Sequence, residues 1–207
     1  LYIKKILDRP QFEIYKIIQE KDYDGVPKIK ELFYSPENDK YILYEECIQG
    51  YTIESMLSKG TCFGKKFVIK MATALCNILK PIHNDNLIHR DISPNNVMYS
   101  QIEDKFYLID FGNSRLNKIN TPKDTVFAGT PIFMAPEQGG VGTQSDNRTD
   151  IYAIGMLMKF MLTKNTTDKK SKIRGRFGKI IVVPKKWTNN TGGYYNNITV
   201  QFVMEVS

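Results

Sequence analysis

Between Leu87 and Met98 the chain reads LIHRDISPNNVM, and this stretch restricts the fold more than any other. Two apolar runs, Leu87-Ile88 and Val97-Met98-Tyr99, enclose a polar loop, a pattern that predicts buried strands gripping a short fixed connection. Pro94 restricts the loop and pushes Ser93 towards an extended backbone, so Asp91 and Asn96 can be held at one spot without a helix to carry them. An acid and an amide in such a loop also form an ordinary local hydrogen-bonding device, so the spacing alone leaves two readings open. The chemical one is that the carboxylate accepts a proton while the amide oxygen ligates a hard cation.

A second acid narrows the choice. The apolar run Phe106 to Ile109 ends at Asp110 and is followed by Phe111 and Gly112. A carboxylate just past a strand end, with a glycine to turn the chain away, suits Mg2+, which takes few carboxylates and fills its shell with phosphate oxygens and water. At this point the chain resembles a protein kinase of the bacterial Ser/Thr type: His89-Arg90-Asp91, Asn96 and Asp110-Phe111-Gly112 follow the order of that family's catalytic and metal-binding loops. AGTPIFMAPE, Ala128 to Glu137, is similar to the end of a kinase activation segment. TDIYAIGMLMKFML, Thr149 to Leu162, is similar to the buried helix that anchors the catalytic loop from below.

The resemblance spans residues 1 to about 180. It implies an α+β, bilobal kinase-like fold, with a partial strand-rich N-lobe over residues 1–48 and a mostly helical C-lobe over 49–182. Residues 183–207 then form an atypical polar tail with no helical period and no family motif.

The opening LYIKKIL reads as a strand in the position of the family's phosphate-binding lysine, which the resemblance assigns to Lys4, although the adjacent Lys5 leaves the register open. After the turn Asp8-Arg9-Pro10, FEIYKIIQE has a helical repeat at 14, 17 and 18. Glu13 at its start is the implied partner of Lys4, while a glutamate there is favoured equally by the helix dipole. GVPKIKELFY and YILYEECIQG read as two strands joined by the polar turn Ser35 to Lys40. The second runs into Glu46, Cys47 and Ile48, which resemble the hinge whose backbone meets the adenine edge, and Glu45 before it places a polar side chain at the back of the pocket. Phe67 to His83 predicts an amphipathic helix, kinked or ended by Pro81. His89 reads as a structural support for the loop.

The resemblance implies transfer of the ATP γ-phosphoryl group to a Ser or Thr hydroxyl of a protein substrate. Asp91 would orient the hydroxyl and take its proton, Asn96 and Asp110 would bind Mg2+, and Thr130 would contact Asp91. Arg90 suggests control by phosphorylation of the activation segment, with Thr121 and Thr125 as candidates.

Departures from the family carry information too. Ser93 stands where most Ser/Thr kinases have a lysine, no glycine-rich segment precedes Leu1, and Glu137 lacks the distant arginine that pairs with it elsewhere. These features suggest a kinase fragment of weak or no activity. Two other classes stay open: a pseudokinase or docking module that binds nucleotide or partners without catalysis, and a small-molecule kinase of related fold.

Composition sets outer limits. At 207 residues, 42% apolar and 12% aromatic, the chain can bury a substantial core. No apolar run is long enough for a membrane span, and Cys47, Cys62 and Cys76 lack metal-ligand spacing, which suits reduced thiols in the cytoplasm. The net charge of +7 is concentrated in residues 159–187, where ten Lys or Arg face one Asp. Without interleaved stacking aromatics this reads as a solvated basic segment rather than a nucleic-acid site. No signal of oligomeric state is present.

Overall fold

The computed structural model describes residues 1–117, 129–139 and 145–163, and the backbone of 179–184 and 198–203. Strand β1 (Tyr2–Leu7) leads into helix α1 (Arg9–Lys21). The helix starts where it does because Asp8 caps it: its carboxylate accepts the Gln11 N–H at 2.8 Å, and Gln11 Oε1 accepts the Asp8 N–H at 3.1 Å. Pro10 sits in the first turn, where a missing N–H leaves nothing unpaired. Ile14, Tyr15 and Ile18 turn inward from α1. Strands β2 (Ile29–Ser35) and β3 (Lys40–Glu46) form the expected hairpin, and β1 pairs antiparallel with β3, so the sheet order is β1-β3-β2.

The larger layer begins with β4 (Tyr51–Thr52), α2 (Ile53–Ser58) and α3 (Lys65–Asn84). Val68, Met71, Leu75, Ile78, Leu79 and Ile82 form the buried stripe of α3. Each such side chain contributes about 1.5–3 kcal/mol on burial. The helix does not end at Pro81 but runs to Asn84. Proline in the last turn forfeits one intrahelical bond, and the continued turn carries His83 into the core.

Strands β5 (Leu87–Ile88), β6 (Val97–Ser100), β7 (Lys105–Leu108) and β8 (Arg115–Leu116) frame the loops on which the sequence pattern converges. They form one sheet ordered β4-β6-β7 and a separate pair β5-β8, so the loop from Ile88 to Val97 is tied at its two ends to different sheets. A 3-10 turn (Pro136–Gly139) precedes helix α4 (Asn147–Thr163). The backbone of β9 (Lys179–Pro184) pairs antiparallel with β10 (Ile198–Val203). The rest of the tail from 185 onward, and Thr121 and Thr125, lie outside the described residues.

One apolar core runs through both layers. It includes Leu7, Ile14, Tyr15 and Ile18 on the strand-rich side, Phe111 at the centre, and Leu75, Leu79, Leu157 and Met158 below. The α+β bilobal kinase-like architecture is thereby formed around the loops that carry Asp91 and Asp110. Among the described residues no helix is long and apolar enough to cross a membrane.

Candidate active site

Asp91 is held from two sides. Its Oδ1 accepts both the backbone N–H and the hydroxyl of Thr130 at 2.8 Å, and its Oδ2 accepts the amide groups of Asn96 and Asn113 at 3.1 Å. A carboxylate has about four lone-pair positions, so these donors fix the group in place. Asn96 also donates from Nδ2 to the Asp91 carbonyl at 2.9 Å. With its Nδ2 committed to Asp91, Oδ1 is the atom of Asn96 that suits a cation.

Asp110 is placed by the same network. The Ile109 N–H donates to the Asn96 carbonyl at 2.9 Å, which brings the next residue, Asp110, beside Asn96. Asp110 lies in the left-handed region at φ 62° and Arg90 at φ 68°. Such conformations cost about 1–3 kcal/mol in non-glycine residues and persist where the surroundings over-determine them. Here the over-determination is visible. Arg90 N–H donates to Asp150 Oδ1 at 2.8 Å, and its carbonyl accepts from Gln138 Nε2 at 2.7 Å. Arg90 Nε donates to the Asn113 carbonyl at 2.8 Å.

The anchor for this loop comes from α4. The buried Asp150 carboxylate accepts the His89 N–H at 3.0 Å, the Arg90 N–H at 2.8 Å and the His83 Nε2–H at 2.6 Å. Burial alone would raise its pKa, but the bond to His83 and the other donors hold it below the usual carboxylate range. His89 is buried as well. Its Nε2–H donates to the Ile109 carbonyl at 3.1 Å while Nδ1 accepts the Asp91 N–H at 3.3 Å, an arrangement that needs a neutral ring. Burial lowers its pKa, against the opposing charges of Asp150, Asp91 and Asp110. The imidazole thus supports the loop from beneath, with Phe111 packed edge-on against it at 4.7 Å.

The two candidate lysines of β1 face opposite ways. Lys4 lies on the exposed face of β1, above the Tyr44 ring at 5.9 Å, whereas Lys5 shares a face with the buried Leu7 and points towards the loops. Side chains alternate along a strand, so the shift by one residue reverses the direction. Lys5 Nζ lies 2.7 Å from Glu45 Oε1 and 3.9 Å from Asp110 Oδ1. The expected pairing with Glu13 is not formed: Glu13 is exposed at the start of α1 and lies 3.6 Å from Lys16. Burial depresses the Lys5 pKa, but Tyr15, Glu45 and Asp110 outweigh it and leave it raised. Burial lifts the Glu45 carboxyl above its ordinary range, and the Lys5 ammonium at 2.7 Å offsets only part of that rise.

Around the hinge, the Glu46 N–H donates to the Lys28 carbonyl at 2.8 Å and the Cys47 N–H to the Leu1 carbonyl at 3.1 Å. Of the three residues read as the adenine edge, Ile48 is the one whose amide donates to none of the described residues. Glu137, read from sequence as lacking a partner, accepts the Thr149 hydroxyl at 2.9 Å. Ser93 is buried and its hydroxyl has no partner among the described residues, so no charge stands where most Ser/Thr kinases carry lysine.

Sequence reasoning did not single out Asn113, Tyr15 or Asp150, and it held Lys5 only as the alternative register to Lys4. The run YIKKIL contained the Lys5 signal in its alternation with Leu7; an asparagine after a Phe-Gly turn contains no comparable one. Tyr15 is nearly fully buried, its hydroxyl accepts the Phe111 N–H at 3.1 Å, and burial pushes its pKa up to about 12.

A protein kinase domain model matches residues 5–191. The chain belongs to the protein kinase family. This kinase-family chain is 27% identical over 180 residues to the serine/threonine-protein kinase PknA of Nostoc sp., a match that covers 78% of the chain and 31% of PknA. It is 28% identical over 182 residues to serine/threonine-protein kinase C of Synechocystis sp., covering 80% of the chain and 33% of the relative. The chain thus spans about a third of the length of each of these two relatives. The solved structure of the Cydia pomonella granulovirus kinase PK-1 superposes with a TM-score of 0.64 at 17% identity, over 79% of this chain and 60% of that one, a likeness of fold.

Mg2+ would find a suitable donor set here. Asp110 offers a half-exposed carboxylate and Asn96 an amide oxygen, on loops joined by the Ile109 N–H bond to the Asn96 carbonyl, and among the described residues no group of three or more His, Cys, Asp or Glu competes as a metal site. One carboxylate with one amide matches a cation that keeps phosphate and water ligands.

Proposed function

We propose that this kinase-family chain transfers the γ-phosphoryl group of ATP to a Ser or Thr hydroxyl of a protein substrate. The reading rests above all on Asp91, whose carboxylate is fixed by Thr130 on one oxygen and by Asn96 and Asn113 on the other. That geometry suits a group that orients an incoming hydroxyl and accepts its proton, once the hydroxyl displaces one of these donors. Asn96 and Asp110 would hold Mg2+, which neutralises phosphate charge when bound, and Lys5 would supply a fixed positive charge to the phosphates. The Ser/Thr preference follows the relatives' names and Thr130.

Incubation of the chain with labelled ATP, Mg2+ and a generic Ser/Thr protein substrate tests the reading. Label should pass to Ser or Thr, and Asp91→Asn should reduce transfer by about 10^2 to 10^4-fold. ATP binding with no transfer by the unaltered chain would instead favour a nucleotide-binding docking module, a class to which the uncharged, buried Ser93 lends some weight.

A further inference from the structure

Lys5 is the one described cation seen within reach of Asp110, so what fixes Lys5 fixes the charge available to a bound phosphate. Lys5 and Glu45 stand on one face of adjacent strands: the register pairs Lys5 with Leu43 and Ile3 with Glu45, which makes Lys5 and Glu45 diagonal neighbours. Both side chains reach the same side of the sheet, and their charged ends meet at 2.7 Å. Glu45 is 4% exposed, so its charge is shielded from water and strongly felt by its neighbour.

Helix α1 supplies no acid to this pair. Its first turn has none, Glu13 lies 3.6 Å from Lys16, and the described carboxylates within 4 Å of Lys5 Nζ are those of Glu45 and Asp110. What α1 presents is Tyr15, whose ring lies 5.8 Å from Lys5 Nζ and whose hydroxyl accepts the Phe111 N–H. Gln11 Nε2 adds a bond to the Gly112 carbonyl at 3.3 Å. The helix is therefore tied to the Asp110-Phe111-Gly112 turn by uncharged bonds, while the lysine is tied to the sheet.

We propose that Glu45 is the positioning residue for Lys5, setting the phosphate-facing ammonium from within the β1-β3-β2 sheet and independently of where α1 sits. A displacement of α1 would break the Tyr15–Phe111 and Gln11–Gly112 bonds yet leave Lys5 paired. This deepens the phosphoryl-transfer reading and rests on it for the role of Lys5, but the pairing itself can be measured without activity.

Competitive acetylation of the full chain by acetic anhydride, with each lysine read by mass spectrometry, provides that measurement. A paired, charged amine reacts slowly, so Lys5 should label about fivefold or more slowly than its neighbour Lys4. Glu45→Gln should raise Lys5 labelling by about the same factor, with Lys4 unchanged, and Glu13→Gln should alter neither. In kinetics, Glu45→Gln should raise the KM for ATP about tenfold, Glu45→Asp should recover part of it, and Glu45→Gln should add no further loss in a Lys5→Met background. Equal labelling of Lys4 and Lys5 in the unaltered chain, a Glu13→Gln effect as large as that of Glu45→Gln, or additive losses with Lys5→Met would each overturn the proposal. The comparison of Lys4 with Lys5 needs no variant, so it stands even if Glu45→Gln does not fold. Protected Lys5 in a chain that transfers no phosphate would support the pairing and overturn the phosphoryl-transfer reading; transfer with unprotected Lys5 would do the reverse.

Discussion

Asp150 reaches from helix α4 to the backbone of Arg90, sixty positions earlier in the chain, and accepts its N–H at 2.8 Å. The same buried carboxylate takes the His89 N–H and the His83 ring, so three donors depend on one acceptor. Asp150→Ala would leave all three without it inside the core. The expected cost is about 3–5 kcal/mol of stability, or on the order of 10 °C in melting temperature for a chain of this size. Thermal or urea unfolding of the two proteins measures it, and a loss below about 1 kcal/mol would show that the loop is anchored elsewhere.

His89 and Asp150, both buried, give the stability a pH dependence of definite sign. His89 has a folded pKa below its ordinary 6.5, so its contribution is complete above that value and is lost as acid protonates the unfolded chain in preference. Asp150 has a folded pKa below its ordinary 3.8; its contribution is present above that value and is lost as the pH falls further. Melting temperature should therefore be flat just above neutrality, decline between about pH 6.5 and 5, and decline again below about pH 4. His89→Gln should flatten the first decline. A melting temperature that rises between pH 7 and 5 would contradict the neutral, buried imidazole.

How much of this the sequence disclosed depends on the kind of information each residue carries. The loop with Asp91 and Asn96, the strand before Asp110 and the helix holding Asp150 are written in contiguous apolar runs, and such runs read directly as buried strands and helices. Lys4 and Lys5 differ only by strand phase, which is set by how Leu7 packs against the rest of the core, a tertiary fact. Glu13 stands out by its place along the chain, whereas Glu45 becomes adjacent to Lys5 only through the β1–β3 register. Asn113 and Thr149 reach Asp91 and Glu137 through individual side-chain hydrogen bonds, and no periodicity marks a residue of that kind.

Removing one of the donors on Asp91 should affect the chemistry more than the fold. Thr130→Ala deletes the hydroxyl bond to Oδ1 while the backbone N–H remains, and Asn113→Ala deletes one of two donors on Oδ2. A hydrogen bond to a charged group is worth about 1.5–3 kcal/mol, so each variant should lower kcat by about 10 to 100-fold. Thr130→Ser keeps the hydroxyl and should retain most activity. Steady-state kinetics with saturating ATP separates these effects from nucleotide binding, and an Asn113→Ala enzyme of undiminished kcat would remove that amide from the catalytic arrangement.

Thr130 can reach Asp91 only because the residue before it has no side chain. Gly129 has φ 120°, and a Cβ there would stand 2.8 Å from the Arg90 carbonyl oxygen, a backbone atom that Gln138 already binds. Gly129→Ala combines a strained backbone with a steric conflict, and the segment must retreat from the loop to relieve both. Retreat would lengthen both Thr130 bonds to Asp91 together, so the loss in kcat should exceed that of Thr130→Ala, which keeps the backbone bond. Stability should fall by only about 1–3 kcal/mol, since the segment can move outward. If Gly129→Ala instead matched the parent in kcat, the contact between Thr130 and Asp91 would have no part in turnover, and the positioning of Asp91 would rest on Asn96 and Asn113 alone.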